Sequence, residues 1–171
     1  MKNILQFLGR QKKKIFLGLL GVFVILQVFR PETNDGTSYS ANDITNAVGV
    51  PPAVKTILET SCFDCHSNHT NYPWYSHIQP TAWWLSDHIK EGKREVNFSE
   101  FNTYTVRRKM KKFREIAEQI EEGEMPLDSY LWIHSDAKLT GEQKKTMIDW
   151  AKMNEQILEK KYPDSVPPRK H

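Results

Sequence analysis

The sequence predicts an all-α fold, and three observations carry that reading. No segment alternates apolar and polar residues as a half-buried strand does. Val106, Met110, Phe113, Ala117 and Ile120 recur at spacings of three and four, the apolar stripe of an amphipathic helix. Thr140 and Gln143 stand at the head of a further helical run, spaced so that each side chain satisfies the other's backbone N–H.

The chain begins with a segment unlike the rest. Residues 1–30 hold Lys2, Arg10, Lys12, Lys13, Lys14 and Arg30 and no acid. Setting those six aside from the 24 basic residues leaves 18 against 21 acidic ones, so the net +3 of the whole becomes −3 for residues 31–171. The basic balance therefore reports a leader, and no nucleic-acid partner is expected. From Ile15 to Phe29 the chain is apolar apart from Gly18, Gly21 and Gln27. As a helix this run spans about 22 Å, short of the roughly 30 Å of a bilayer core. Lys14 and Arg30 are placed to snorkel across the difference. The run reads as a single-pass anchor for residues 1–30, with a signal peptide as the alternative. The membrane is then one expected partner. Residues 31–171 are expected on the periplasmic side of a bacterial inner membrane, because the cationic flank stays inside.

Residues 31–49 are polar and rich in turn formers and read as a linker. Residues 50–160 form the expected domain. Val54, Ile57 and Leu58 mark a short helix running into Cys62, and residues 67–80 read as a packed loop. Thr81 is placed to cap a helix bearing Trp84, Leu85, His88 and Ile89 and ending near Gly92. The longest helix is expected over Ser99–Glu122, stopped by Gly123. A loop from Glu124 through Asp136 leads to the last helix, which bears Met147, Ile148, Trp150, Ala151, Ile157 and Leu158. Residues 161–171 are expected to be a flexible tail.

The chain's two cysteines fall within one pentapeptide, Cys62-Phe63-Asp64-Cys65-His66. Two thiols three positions apart can each add to one vinyl group of a haem, and the adjacent His supplies an imidazole to the iron. A thioredoxin-like pair normally follows a strand, and here a helix leads in. A zinc site lacks a second ligand pair at suitable spacing. The expected cofactor is one covalently bound haem c per chain, held by Cys62 and Cys65 with His66 as an iron ligand.

The sixth position of the iron separates electron transfer from ligand chemistry. Met125 is the expected ligand, since it follows the Gly123 helix stop on a loop that Pro126 stiffens. Met110 and Met147 lie on apolar stripes and read as core fillers. His134, in the same region as Met125, is the rival.

Cys62 through Trp84 (CFDCHSNHTNYPWYSHIQPTAWW) resembles the haem-binding domain family of membrane-anchored bacterial proteins, which has C-x-x-C-H-S-N, then Y-P-W-Y, then a Pro and a Trp. The plan of motif, loop, Gly-Glu-Met-Pro and final helix with Trp150 also resembles a class I cytochrome c. The resemblance implies a small helical domain around one haem. It implies further that Pro80 supplies the carbonyl orienting the imidazole, and that Trp150 packs across Val54 and Leu58. The expected function is a membrane-tethered, periplasmic, single-haem electron carrier with a redox partner protein. The alternative is a haem-based sensor or peroxidase-like enzyme with a displaceable sixth ligand. No catalytic residue is nominated.

A cationic stretch (Arg107, Arg108, Lys109, Lys111, Lys112 and Arg114) precedes Glu115, Glu118, Glu121 and Glu122 on the same expected helix and Glu124 just beyond it. It reads as a solvated face with compensating pairs, or as a docking surface for the redox partner.

Overall fold

The computed structural model describes residues 2–166, and within that range its regular structure is all helical, with no strand. The helices are α1 (Lys2–Leu26), α2 (Ile44–Ala47), α3 (Pro52–Ser61), α4 (Phe63–His66), α5 (Thr81–Glu95), α6 (Val106–Glu122), α7 (Asp128–Leu131) and α8 (Gly141–Lys161). Two compact units arise from the contacts. One joins α1 and its exit to residues 72–88; the other holds residues 34–71 together with the chain from Ile89 onward.

In the first unit, α1 stops at Leu26, so only its last dozen or so residues are apolar helix, about 18 Å at 1.5 Å per residue. Lys12, Lys13 and Lys14 lie immediately before them. Among the described residues no helix is long and apolar enough to cross a membrane. This overturns the expected anchor at residues 1–30, and with it the placement as a single-pass inner-membrane protein with a periplasmic domain. Gln27, the polar break in the apolar run, ends it with polar bonds. Its Oε1 accepts from the Gln79 backbone N–H at 2.9 Å. Beyond it the Phe29 carbonyl accepts from Gln79 Nε2 (3.0 Å) and Trp83 Nε1 (2.7 Å).

The second unit is organised by α6 and α8. The expected stripe of α6 is inward over most of its length: Met110, Phe113, Ala117 and Ile120 are buried, whereas Val106, in the first turn, is half-buried. Phe113 meets Trp150 of α8 edge-on, ring centroids 5.4 Å apart, and Phe101 at 5.1 Å. Burying such side chains contributes roughly 1.5–3 kcal/mol each. Trp150 shares this core with Val54 and Leu58 of α3, and its indole N–H donates to the Gly49 carbonyl at 3.0 Å. Thr140 and Gln143 form the capping box expected at the head of α8.

Several boundaries differ from the sequence reading. Thr81 is the first residue of α5 and not its cap; the Pro80 carbonyl receives the Trp83 and Trp84 N–H groups, and the helix runs past Gly92 to Glu95. Ser99 opens no α-helix. Residues Phe98–Thr103 form a 3-10 turn that buries Phe98 and Phe101, and α6 starts only after Thr105, whose hydroxyl accepts from the Arg108 N–H. Within the expected linker, Asp43 caps α2 and Ile44 is wholly buried in the core. The loop after Gly123 contains α7 and a 3-10 turn at Ser135–Ala137. Of the expected tail, Lys161 closes α8 and Pro163–Ser165 form a 3-10 turn, whereas residues 167–171 lie outside the described range.

Candidate functional site

The motif is built by a helix that ends and restarts. α3 closes at Cys62, and α4 is a single turn in which the Cys62 carbonyl accepts from the N–H groups of His66 (2.9 Å) and Cys65 (3.3 Å). The two sulfurs are free thiols. Burial pushes the Cys62 thiol up to about 12, reinforced by Cys65; burial and the Asp64 carboxylate push Cys65 up to about 11. A dithiol redox centre needs the opposite shift, toward thiolate.

His66 is held with one nitrogen committed. Its Nδ1–H points at two backbone carbonyls, Gly92 at 2.9 Å and Val96 at 3.0 Å, the last turn of α5 and the residue that follows it. Both acceptors fix the proton on Nδ1 and leave Nε2 with its lone pair, the tautomer a metal ligand requires. Burial also lowers the His66 pKa, against the upward pull of the two carbonyls, and so keeps the ring neutral. The carbonyl expected to do this was Pro80; the structure assigns the task to Gly92 and Val96.

Gly92 has a second reason to be glycine. A Cβ there would lie 2.7 Å from the Cys65 carbonyl oxygen, so α5 approaches the motif as closely as only a bare backbone allows. Nothing in the sequence distinguishes this glycine from a helix stop, because the contact joins segments far apart in the chain.

The residues after the motif wire the turn in place. Ser67 is wholly buried; its hydroxyl donates to the His69 carbonyl (2.8 Å) and accepts from the His69 N–H (3.1 Å). The Asn68 N–H donates to Ser99 Oγ at 3.0 Å, its amide nitrogen to Glu100 at 2.9 Å, and its amide oxygen accepts from Asn97 at 2.7 Å. The Ser-Asn pair thus serves the backbone of the motif and not the cavity.

Cys62, His66 and Met125 line one cavity of about 1040 Å³. Ile57, Val96, Phe98, Ile120, Leu139 and Met147 supply apolar wall. Cys65 is half-buried and lies outside this lining, as does His134. The His134 ring instead stacks on Tyr130, centroids 4.1 Å apart at 16°. Met125 follows the left-handed Gly123 cap (φ 80°), and the N–H groups of Glu124 and Met125 both donate to the Gln119 carbonyl, at 2.9 and 3.2 Å.

The cationic stretch is only partly a solvated face. Lys111 pairs with Glu115 at 3.3 Å as expected. Lys112 is buried at the cavity wall, its ammonium 2.6 Å from Glu115 and 3.3 Å from Glu95. Arg114 turns to Glu155 of α8 at 2.7 Å.

A family model described as a haem-binding domain matches residues 21–153 of the 171. The chain belongs to the haem-binding domain family. Neither the curated proteins nor the solved structures contain a significant match. The match spans the motif, α5, α6, the Met125 loop and the greater part of α8. Membership agrees with the donor set described above: a neutral imidazole with a free Nε2, the Cys62 thiol beside it, and a cavity of the size a large flat ligand needs, apolar on one part of its wall and charged along α6 and α8.

Proposed function

We propose that this haem-binding protein carries a single c-type haem, joined through Cys62 and Cys65 and ligated by His66 and Met125, and that it serves as a one-electron carrier to a redox partner protein. The observation that carries the reading is the shared cavity: Cys62, His66 and Met125 open into one space, with His66 Nδ1 already committed to backbone. Bound there, the haem iron supplies exchange of one electron between its ferrous and ferric states. The chain's own part is to hold and to exclude. Gly92 and Val96 aim the imidazole, Phe98, Leu139 and Met147 keep water from the ring, and Met125 offers a soft thioether that favours ferrous iron. The cytochrome c-like plan read from the sequence is part of this proposal, and its support is that the domain is all-helical. Met125 is preferred to His134 because the latter is stacked on Tyr130 and is not part of the cavity lining.

The test is the absorption spectrum of the oxidised holoprotein. Sulfur ligation predicts a low-spin spectrum with a weak far-red sulfur-to-iron band that Met125→Ala abolishes, leaving iron open to carbon monoxide. A high-spin wild-type spectrum that shifts on adding cyanide contradicts the electron-carrier reading and favours a sensor or peroxidase-like enzyme.

A further inference from the structure

The residue between the two cysteines faces away from ordinary solvent duties. Asp64 is the second of the two intervening positions in the motif, and its carboxylate is shared between two partners. One oxygen accepts from the Asn71 N–H at 3.1 Å and from the Asn71 side-chain amide at 3.2 Å. The other accepts from the Tyr130 hydroxyl at 2.7 Å, a bond spanning 66 residues of sequence. Tyr130 lies in α7, five residues beyond Met125. Burial and the Asp64 carboxylate both push its phenol upward, so the proton stays on Tyr130 and the hydroxyl is the donor.

The segment bearing Met125 is therefore tied at both ends by different means. At its start, the Gln119 carbonyl takes two N–H groups beyond the Gly123 cap. At its far end, the Leu127 carbonyl opens α7 by accepting from Tyr130 and Leu131, and the Tyr130 side chain reaches the motif. Between the ties, residues 125–128 are only half-buried or exposed, so packing alone does not fix them.

We propose that the Asp64–Tyr130 hydrogen bond is a clasp joining the haem-attachment motif to the Met125 loop, with Tyr130 as the positioning residue for the sixth ligand. The proposal rests on Met125 ligation, and it adds a direction of coupling: whatever fixes the motif also fixes the loop. A 2.7 Å bond between segments 66 residues apart holds the loop against the motif, and losing it frees the loop by a factor of about ten.

The experiment uses full-length holoprotein and compares wild type with Tyr130→Phe, Asp64→Ala, the double variant and Met125→Ala. Three readouts are taken: covalent haem per chain, the far-red band with carbon monoxide affinity of the ferrous form, and amide hydrogen exchange over residues 124–131. Tyr130→Phe is expected to keep its haem, to lose much of the far-red band, to bind carbon monoxide about tenfold more tightly and to exchange these amides about tenfold faster. The double variant should be no worse than Asp64→Ala, which also gives up the Asn71 bonds, because Tyr130 and Asp64 are the two ends of one bond. Unchanged exchange and an unchanged spectrum in Tyr130→Phe overturn the clasp, whatever Asp64→Ala does to folding. An intact far-red band in Met125→Ala overturns the ligation itself and takes the clasp's role with it, which separates the two failures.

Discussion

The two sides of the cavity are specified in different ways. Around residues 62–71 nearly every polar group has a named partner: His66 to two carbonyls, Ser67 to His69, Asn68 to Ser99, Glu100 and Asn97. Across residues 123–139 the chain is held by its ends, while Trp132 and Ile133 stand exposed at 82% and 63%. The first side is a fixed seat and the second a tethered flap, with α6 as the wall serving both. Lys112 of α6 ties toward Glu95, beside the seat, and Gln119 of α6 holds the start of the flap. Covalent attachment, as proposed for the motif, needs rigid geometry. A ligand loop needs only to arrive.

The sharpest way to break this contrast is Gly92→Ala. The new Cβ meets a backbone oxygen that cannot rotate away, so α5 must shift and carry the Gly92 and Val96 carbonyls off His66 Nδ1. We expect a loss of about 1–3 kcal/mol of stability, the usual cost of overpacking, together with a changed reduction potential. Denaturant unfolding and redox titration of the holoprotein check this; a wild-type midpoint in both would show that the seat is not rigid.

A smaller effect is expected at the shared wall. Burial raises the Glu115 pKa, but the hydrogen bonds and charges of Lys112 and Lys111 outweigh it and hold the carboxyl below the usual range. A carboxyl depressed in the folded state contributes stability that is complete above its unfolded value near 4.3 and is lost as pH falls through the lower folded value. Glu115→Gln should therefore cost on the order of 1 kcal/mol at pH 7, discounted for partial exposure. The difference from wild type should close as the pH drops below about 4. Urea midpoints measured from pH 7 to pH 3 decide it, and a gap that does not narrow over that range would contradict the assignment.

The smallest change belongs to the flap. Trp132→Ser removes a side chain that is almost wholly exposed, so stability should move by no more than about 0.5 kcal/mol. A drop of 2 kcal/mol or more, on the order of a buried side chain, would mean that the flap is packed and that the contrast is false.

The same contrast explains what the sequence could disclose. The motif was legible because its chemistry lies in a five-residue spacing, and the α6 stripe because its period repeats over seventeen residues. Gly123 and the Thr140–Gln143 box were legible for the same local reason. Gly92, Val96, Asp64 and Tyr130 were not, because each acts on a residue brought near only by the fold. Pro80 was assigned the carbonyl role by family resemblance, yet its carbonyl is occupied by the start of α5. The expected helix starts at Ser99, but its apolar period begins only at Val106, and the residues before Thr105 fold as a separate 3-10 turn. In the apolar run at 15–29, hydropathy was weighed above length. Its helix ends at Leu26, and the residues just beyond bond to Gln79 and Trp83.

The most direct measurement is the intact mass of the chain purified from a host competent for cytochrome c maturation, with extraction into acidified organic solvent alongside it. We predict a mass raised by one haem, pigment that stays with the polypeptide, and loss of both when Cys62 and Cys65 are changed together to Ser. A chain of unmodified mass whose colour passes into the solvent would show the haem to be held without thioether bonds and would contradict the account.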